Sequence, residues 1–196
     1  MSPHLVRASA SAALIMIAQP ALAAEAYVFD PAHSNIHFEW SHFGFSTSSA
    51  EFEEFSGTLM LEENEIPASE VSVTIDMSSV DSGFETFNDD LTDRVEWFNV
   101  EQYPQAVFES TGIVQVGDGR YEVTGELTLK DVTREVVLDT TINRIAEHPV
   151  SKARTIGFDA TTTVSRTAFD MGRYAPAIGD EVTIRISAEM QRRSDL

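Results

Sequence analysis

Three of the five histidines of this chain lie within ten residues, in the stretch DPAHSNIHFEWSHFGF. On a helix, two imidazoles four residues apart, such as His33 and His37, would share a face and could bind one metal ion. Here apolar and polar side chains alternate from Asn35 to Trp40, which predicts a strand. A strand places His33 and His37 about 13 Å apart, whereas metal ligands lie about 2 Å from their ion. We therefore predict neither a metal site nor a catalytic site, and the sequence contains no His-Glu-x-x-His or Gly-x-Ser-x-Gly motif.

The same alternation recurs along most of the chain and predicts an all-β fold. Turn-forming residues such as Gly117-Asp118-Gly119 separate the alternating segments. Antiparallel strands that each have one apolar face predict a closed barrel or a sandwich, and closure removes exposed sheet edges. A barrel of about eight strands can be filled by its own side chains or hold one small ligand. Eight segments are predicted as strands: 36–40, 55–61, 71–77, 106–116, 121–129, 136–142, 156–164 and 182–190.

One segment has the spacing of a helix instead of a strand. Ser82 followed three residues later by Glu85 predicts a capping box at its start. We expect one short helix that plugs or covers the barrel, with its acidic side in solvent. Its apolar residues fall three or four apart and would share one face: Phe84, Phe87, Leu91, Val95 and Phe98.

Residues 1–23 have the features of a secretory signal peptide. Arg7 precedes a run of small and apolar residues, and Ala21-Leu22-Ala23 fits a small-x-small cleavage site. A membrane anchor is the alternative, but the apolar run is about half the roughly 20 residues that span a bilayer. We therefore expect cleavage near Ala23, a mature domain over residues 24–196, and export to the periplasm or beyond the cell.

The charge of the chain excludes some classes of partner. Thirteen basic against 32 acidic residues give a formal net charge of −19. Such a surface repels phosphate backbones, so we predict no nucleic-acid binding. It also argues against strong docking on an anionic membrane through basic residues. The chain has no cysteine and is long enough to bury a core without disulfides.

Several short motifs occur along the chain in the same order as in a known protein family. Together they make it similar to the YceI-like polyisoprenoid-binding family over nearly all of residues 27–190. The motifs are Tyr27-Val-Phe-Asp-Pro-Ala-His-Ser-Asn-Ile-His-Phe38, Phe55-Ser-Gly-Thr-Leu59, Trp97-Phe-Asn99, Tyr103-Pro-Gln-Ala-Val-Phe-Glu-Ser110, Val123-Thr-Gly-Glu-Leu-Thr-Leu129 and Gly179-Asp-Glu-Val-Thr-Ile184.

This resemblance implies an extended, lipocalin-like antiparallel β-barrel that encloses a long apolar chain, such as a polyprenyl or quinone tail or a fatty amide. It implies no cofactor, no metal and no catalytic dyad. The sequence departs from the family pattern at two places. Many members have Arg-Asp-x-His-Leu where this chain has Phe87-Asn-Asp-Asp-Leu91, and Asp170 replaces a glycine of the motif Arg-x-x-Phe-Gly-Met-Gly. Asp tolerates a left-handed backbone better than most residues.

The candidate ligand-binding residues are the inward-facing side chains of the strands and a few residues at the mouth. Ordinary core packing is the alternative for the wall, and surface salt bridges are the alternative for the arginines. We also expect His33 and Ser34 to order the first strand by hydrogen bonds. Arg166, Arg173 and Tyr174 could meet a polar head group at the mouth. The predicted wall consists of Phe38, Trp40, Phe43, Phe45, Phe55, Val73, Ile75, Phe108, Val123, Leu127, Phe158 and Ile184.

Three classes of function follow, and an exported carrier of an isoprenoid or quinone-type lipid is favoured. The second is an interaction protein whose barrel is filled by its own side chains. The third is an enzyme on an apolar substrate, which is less favoured because the inward-facing positions carry almost no titratable group. The oligomeric state stays open, and a dimer is compatible with the sequence. The alternating polar faces predict no apolar patch for a partner.

Overall fold

A computed structural model describes residues 24–196, so the predicted signal peptide over residues 1–23 lies outside the described part. Within it no helix is long and apolar enough to span a bilayer. The strands are β1 Glu25–Phe29, β2 Asn35–His42, β3 Ser46–Phe52, β4 Phe55–Leu61, β5 Glu70–Asp76, β6 Val80–Asp81, β7 Gln105–Gly117, β8 Arg120–Leu129, β9 Val132–Glu147, β10 Arg154–Ser165 and β11 Ile178–Arg192. The α-helix is α1 Glu85–Asp93, and short 3-10 turns cover Ile66–Ala68, Met77–Ser79, Arg166–Phe169 and Arg193–Asp195.

The strands form one antiparallel sheet that closes on itself with eight strand positions around the barrel. Three positions are each shared by two successive strands: β1 with β2, β3 with β4, and β5 with β6. β11 pairs with β2 through Ile178–Ser187 and with β1 through Met190–Arg192, and these three pairs with β1 complete the ring. The predicted all-β barrel of about eight strands with one short helix is therefore confirmed.

Three short strands were not predicted from the sequence. β1, β3 and β6 lack a run of alternating apolar residues long enough to stand out. β3 has the sequence STSSAEF, and only Ala50 and Phe52 are buried. It is a strand because it pairs with β2 over seven positions, from Ile36 opposite Phe52 to His42 opposite Ser46. Tertiary pairing decides the conformation of such polar segments.

The helix is shorter than predicted, and its start is built differently. Val95 and Phe98 follow its end at Asp93. No side chain caps its N-terminus, so the predicted capping box of Ser82 with Glu85 is wrong. The Ser82 backbone N–H and hydroxyl instead donate to Asn88 Oδ1, at 2.8 and 2.6 Å. Asn88 is one of the residues at which the sequence departs from the family pattern.

The two ends of the barrel are built from different connections. We call the capped end the one formed by the β2–β3 turn, the β8–β9 turn, α1 and residues 166–178. We call the tied end the one formed by β1, residues 62–69, the β9–β10 turn and the C-terminus. At the capped end the sheet stops at the two-residue strand β6, and residues 82–104 cover the opening between β6 and β7.

The tied end is held by a polar network around Glu63. The fully buried Tyr27 donates its hydroxyl to Glu63 Oε1 at 2.8 Å, and Arg154 Nε donates to the same oxygen at 2.8 Å. Asp195 accepts from the Arg154 backbone N–H at 2.8 Å and from Arg192 Nε at 3.0 Å. The hydrogen bond from Arg154 holds the pKa of Glu63 below its ordinary value, and burial raises the pKa of Tyr27. The network joins β1, β10, the β4–β5 connection and the C-terminus where the ring closes.

We expect Glu63→Gln to lower the free energy of unfolding by about 1–3 kcal/mol near neutral pH, because hydrogen bonds to a charged group are stronger than neutral ones. The pKa of Glu63 lies below its ordinary value of 4.5. Its stabilising contribution is therefore present above that pH and is lost as the pH falls through the lowered pKa. Urea unfolding of both proteins, near neutral pH and in mild acid, measures the difference and its decline.

Glu65→Gln is the matched control because it removes the same charge from an exposed position in the same connection. We expect it to change the free energy of unfolding by less than about 0.5 kcal/mol. Equal effects of the two substitutions would contradict a specific role of the Glu63 network.

Candidate functional site

The inward side chains of the barrel surround a cavity of about 290 Å³, which we call the lumen. Strand alternation places every second side chain of the long strands on this inner face. The lumen is lined almost wholly by aliphatic and aromatic groups. From β7 to β11 the lining consists of Ala106, Phe108, Ile113, Tyr121, Val123, Leu127, Leu129, Val136, Leu138, Thr140, Ile142, Ile156, Phe158, Ala160, Thr162, Val164, Ile178, Val182, Ile184 and Ile186.

The lumen is elongated along the strands. On β10 its lining runs from Ile156 to Val164, and on β11 from Ile178 to Ile186. Eight residues of strand span about 26 Å. An apolar space of this length suits a chain-like apolar molecule better than a compact one.

A glycine keeps the middle of the lumen open. The ring of Phe108 lies over Gly125, and a Cβ atom added to Gly125 would be 2.4 Å from Phe108 Cζ and 2.6 Å from the carbonyl oxygen of Glu109. Because Gly125 has no side chain, the Phe108 ring rests against the β8 wall. Any other residue at this position would push the ring or the strand away.

Aromatic side chains close the lumen at the capped end. The Phe38 ring stacks on Trp40 and Phe52, with centroids 5.6 and 5.1 Å apart. Phe98 approaches Phe38 edge-on at 6.2 Å, and Phe87 of α1 lies 6.1 Å from Trp40. The predicted covering role of α1 is correct for Phe87 and Leu91, which line the lumen. It is wrong for Phe84 and Val95, which are exposed.

Arg166 lines the lumen, but its donors are bound to the backbone. Nε donates to the carbonyl of Gly179 and Nη2 to that of Ile178, both at 2.8 Å, and Nη1 donates to the carbonyl of Met171. The guanidinium also lies 5.4 Å from the Trp97 ring. Burial lowers the pKa of Arg166, and the nearby Asp180 opposes that shift. Arg166 therefore holds residues 166–179 in place, which corrects the prediction that it faces a head group at the mouth.

Lys130 is a second buried cation at the capped end. Its Nζ donates to the carbonyl of Val95 at 2.8 Å and to that of Asp170 at 3.4 Å. Burial lowers the pKa of Lys130, and the charges of Asp170 and Glu96 oppose that shift. Lys130 thus fastens the segment after α1 to the barrel. Nothing in the sequence marked this residue, which lies in the β8–β9 turn. Asp170 has the left-handed backbone, with φ of 58°, that its place in the motif suggested.

Most of the predicted wall residues line the lumen: Phe38, Trp40, Val73, Ile75, Phe108, Val123, Leu127, Phe158 and Ile184. Phe55 lies beside the wall, where it packs edge-to-face against Phe29 at 5.2 Å. Phe43 and Phe45 are 48% and 92% exposed, so their predicted place in the wall is wrong. Tyr174 is 49% exposed at the capped end, and its contact with a head group stays a prediction. These three lie in turns, where strand alternation no longer sets the direction of a side chain.

The three clustered histidines have separate contacts. His33 Nδ1 lies 3.0 Å from Asp30 Oδ2, and His37 Nε2 lies 3.2 Å from Glu51 Oε2. His42 ends β2 at the capped end and lines the lumen. Ser34 exchanges hydrogen bonds of 3.1 and 3.2 Å with the backbone of Glu189, and these bonds confirm the predicted ordering role of His33 and Ser34.

Asp30, His33 and Glu189 are the one group of possible metal ligands among residues 24–196, with one donor atom of each within 4.8 Å of the others. The Asp30 oxygens already accept hydrogen bonds from the Ala32 backbone N–H, at 3.0 Å, and from Gln191 Nε2, at 3.0 Å. These hydrogen bonds explain the cluster as a surface contact between the β1–β2 connection and β11.

Comparisons with known proteins agree with this architecture. The family model described as the YceI-like domain matches residues 27–190. A UPF0312 protein of Pectobacterium atrosepticum is 34% identical over 182 residues, which cover 92% of this chain and 93% of the relative. Protein YceI of Salmonella arizonae is 32% identical over 180 residues, which cover 91% and 92%.

Two solved structures share the fold. BcnA of Burkholderia cenocepacia superimposes with a TM-score of 0.74 at 27% identity, over 82% of this chain and 98% of that chain. A polyisoprenoid-binding domain from Saccharophagus degradans, implicated in plant cell wall breakdown, gives a TM-score of 0.64 at 15% identity, over 86% and 99%. At that identity the second likeness concerns the fold alone.

We expect Gly125→Ala to lower the free energy of unfolding by about 1–3 kcal/mol, because its methyl group would overlap the Phe108 ring. Adding Phe108→Leu to the same chain should restore part of that loss, since the smaller side chain leaves room for the methyl group. Urea unfolding of the two single variants and the double variant gives their coupling energy. Strictly additive effects would contradict the packing of Phe108 on Gly125.

Proposed function

Because the chain belongs to the YceI-like family, we propose that it is an exported carrier that holds one long-chain isoprenoid lipid, a polyprenyl or quinone tail, in its lumen. The observation that carries this proposal is the elongated cavity lined almost entirely by apolar side chains. A filled barrel, the alternative from the sequence, would leave no such space.

The physical chemistry of the lumen favours a chain-like lipid. Water inside it finds few hydrogen-bonding partners, and its displacement by an apolar chain is favourable by roughly 25 cal/mol per Å² of apolar surface covered. Ligand pockets of this kind are mostly apolar, with few polar groups that orient the ligand. Here the polar lining groups are few: His42 and Arg166 at the capped end, Ser69 and Tyr121 near the tied end, Thr140 on β9 and Thr162 on β10.

The arrangement of the buried cations favours an uncharged ligand. The donors of Arg166 and Lys130 are directed to backbone carbonyls. A carboxylate inside the lumen would lose its hydration without gaining a free cationic partner, which is costly. We therefore propose a neutral isoprenoid or quinone rather than a fatty acid.

The same lining supports binding without chemistry on the ligand. Among the described residues, the ionisable side chains of the lining are His42, Tyr121 and Arg166. His42 lies at the capped end and Tyr121 near the tied end, so the two form no acid–base pair. Residues 1–23 support export to the periplasm as part of the same proposal.

Val164→Trp should abolish lipid retention while the fold is preserved. The Val164 side chain is half-buried and borders the lumen, so a large ring there takes the volume that the lipid needs. Native mass spectrometry after incubation with ubiquinone or polyprenol, followed by solvent extraction, measures retention. The unmodified protein should carry one lipid per chain.

Val137→Trp is the matched control, because Val137 faces outward on the neighbouring strand β9 and is 44% exposed. It should retain lipid as the unmodified protein does. A bare mass for the unmodified protein after incubation, or equal retention by the two tryptophan variants, would refute the carrier function.

A further inference from the structure

Three exposed aromatic residues form a surface that the carrier function does not use. Phe43, Phe45 and Tyr174 all lie at the capped end, and we call them the aromatic tip. Phe45 is 92% exposed. This surface contradicts the expectation that the alternating polar faces leave no apolar patch.

The backbone brings the two loops of the aromatic tip together. His42, which precedes Phe43, pairs with Ile178 in the sheet. The backbone N–H of Ile178 in turn donates to the carbonyl of Tyr174 at 2.9 Å. The β2–β3 turn and residues 171–178 are therefore neighbours, and their aromatic side chains share one surface.

The backbone at the aromatic tip is unfavourable for these residue types. Phe43 has φ of 52° and Tyr174 has φ of 61°, in the left-handed region that bulky side chains rarely adopt. The left-handed region brings the Cβ atom too close to the following carbonyl oxygen, so each such residue costs conformational energy. Phe43 and Tyr174 stay about half exposed, with ring contacts to the neighbouring His42 and Arg173, so burial offsets only part of this cost.

Charge is depleted around the aromatic tip. Of the 32 acidic residues of the chain, none lies in residues 41–50 or 171–179. Arg173 is the charged residue of these two segments, apart from the titratable His42, and its guanidinium lies 4.6 Å from the Tyr174 ring. Acidic residues border these segments, since Glu51, Asp170 and Asp180 flank them in the sequence and the charge of Glu96 acts on Arg173.

This combination matches the interfacial layer of a phospholipid bilayer. Aromatic side chains favour that layer, and a lone arginine suits a lipid phosphate. The acidic remainder of the surface opposes any other approach to a membrane, because anionic head groups repel it. The lumen is adjacent, since His42 lines it and its ring lies 4.7 Å from that of Phe43.

We propose that Phe43, Phe45 and Tyr174 insert into the surface of a phospholipid bilayer, with Arg173 at a phosphate, and that lipid enters the lumen at this end. The entry step rests on the proposed carrier function, whereas docking on the bilayer does not.

The test is flotation of the purified protein with phosphatidylcholine vesicles at physiological salt. The triple variant Phe43→Asn, Phe45→Ser and Tyr174→Asn should bind vesicles at least tenfold more weakly, while its unfolding midpoint is unchanged or higher, since Asn tolerates the left-handed backbone. Partial replacement of phosphatidylcholine by phosphatidylglycerol should weaken binding of the unmodified protein, because its surface is acidic.

A control variant removes three exposed valines elsewhere, by Val114→Ser, Val137→Ser and Val150→Ser. It should bind vesicles as the unmodified protein does. Vesicle binding that the aromatic-tip variant retains, or that both triple variants lose equally, would overturn the proposal. A dimer that only the aromatic-tip variant dissociates would assign the surface to a second copy of the chain and would also overturn it.

Lipid uptake separates docking from the carrier function. The aromatic-tip variant should load quinone from ethanol solution as the unmodified protein does, but take it up from vesicles more slowly. If the unmodified protein loads quinone but does not bind vesicles, the docking proposal is refuted and the carrier function is not. One that binds vesicles but never retains a lipid would refute the carrier function and leave docking in place.

Discussion

Closure of the sheet is the constraint on which the rest of the structure depends. Eight strand positions with one apolar face each need either a second layer or a ring, and the ring turns the apolar faces toward one another. At the tied end this closure rests on three residue pairs between β1 and β11, and the Glu63 network reinforces the same place. At the capped end β6 is too short to complete the ring, and the segment containing α1 fills the opening. The lumen exists because strand pairing closes the tied end and the segment containing α1 closes the capped end.

An enclosed apolar space normally collapses, since protein interiors pack densely. Here the strands fix the diameter, and the largest side chains are held against the wall or at one end. Gly125 accommodates the Phe108 ring, and the rings of Phe38, Trp40 and Phe52 stack on one another at the capped end. Backbone carbonyls accept the hydrogen bonds of the two buried cations, Arg166 and Lys130. The volume of the lumen therefore depends on where these large side chains lie.

The sequence predicted those features that depend on local alternation. The long strands, the inward direction of Val73 or Phe158, and the single helix follow from periodicity alone. Phe43 and Phe45 were misplaced because they were grouped with the neighbouring aromatic residues of the wall, although they follow the end of β2 in the turn that reverses the chain. Phe55 keeps the inward alternation but packs on Phe29 rather than reaching the lumen. Lys130 had no signal, because its burial depends on a segment about 35 positions away in the sequence that only the tertiary fold brings near.

The two ends of the barrel also differ in how much structure a passing ligand would have to displace. At the tied end a ligand would separate the Arg154 and Arg192 ion pairs and open a core of which Tyr27 and Met190 are completely buried. At the capped end the obstacles are α1, in which Leu91 alone is buried, and the packed rings of Phe38, Trp40 and Phe98 that close the lumen. Segments with few buried apolar contacts open locally at the lowest free energy. At the capped end α1 is therefore the part that opens at the lowest free energy, whereas the tied end opens only when its ion pairs separate.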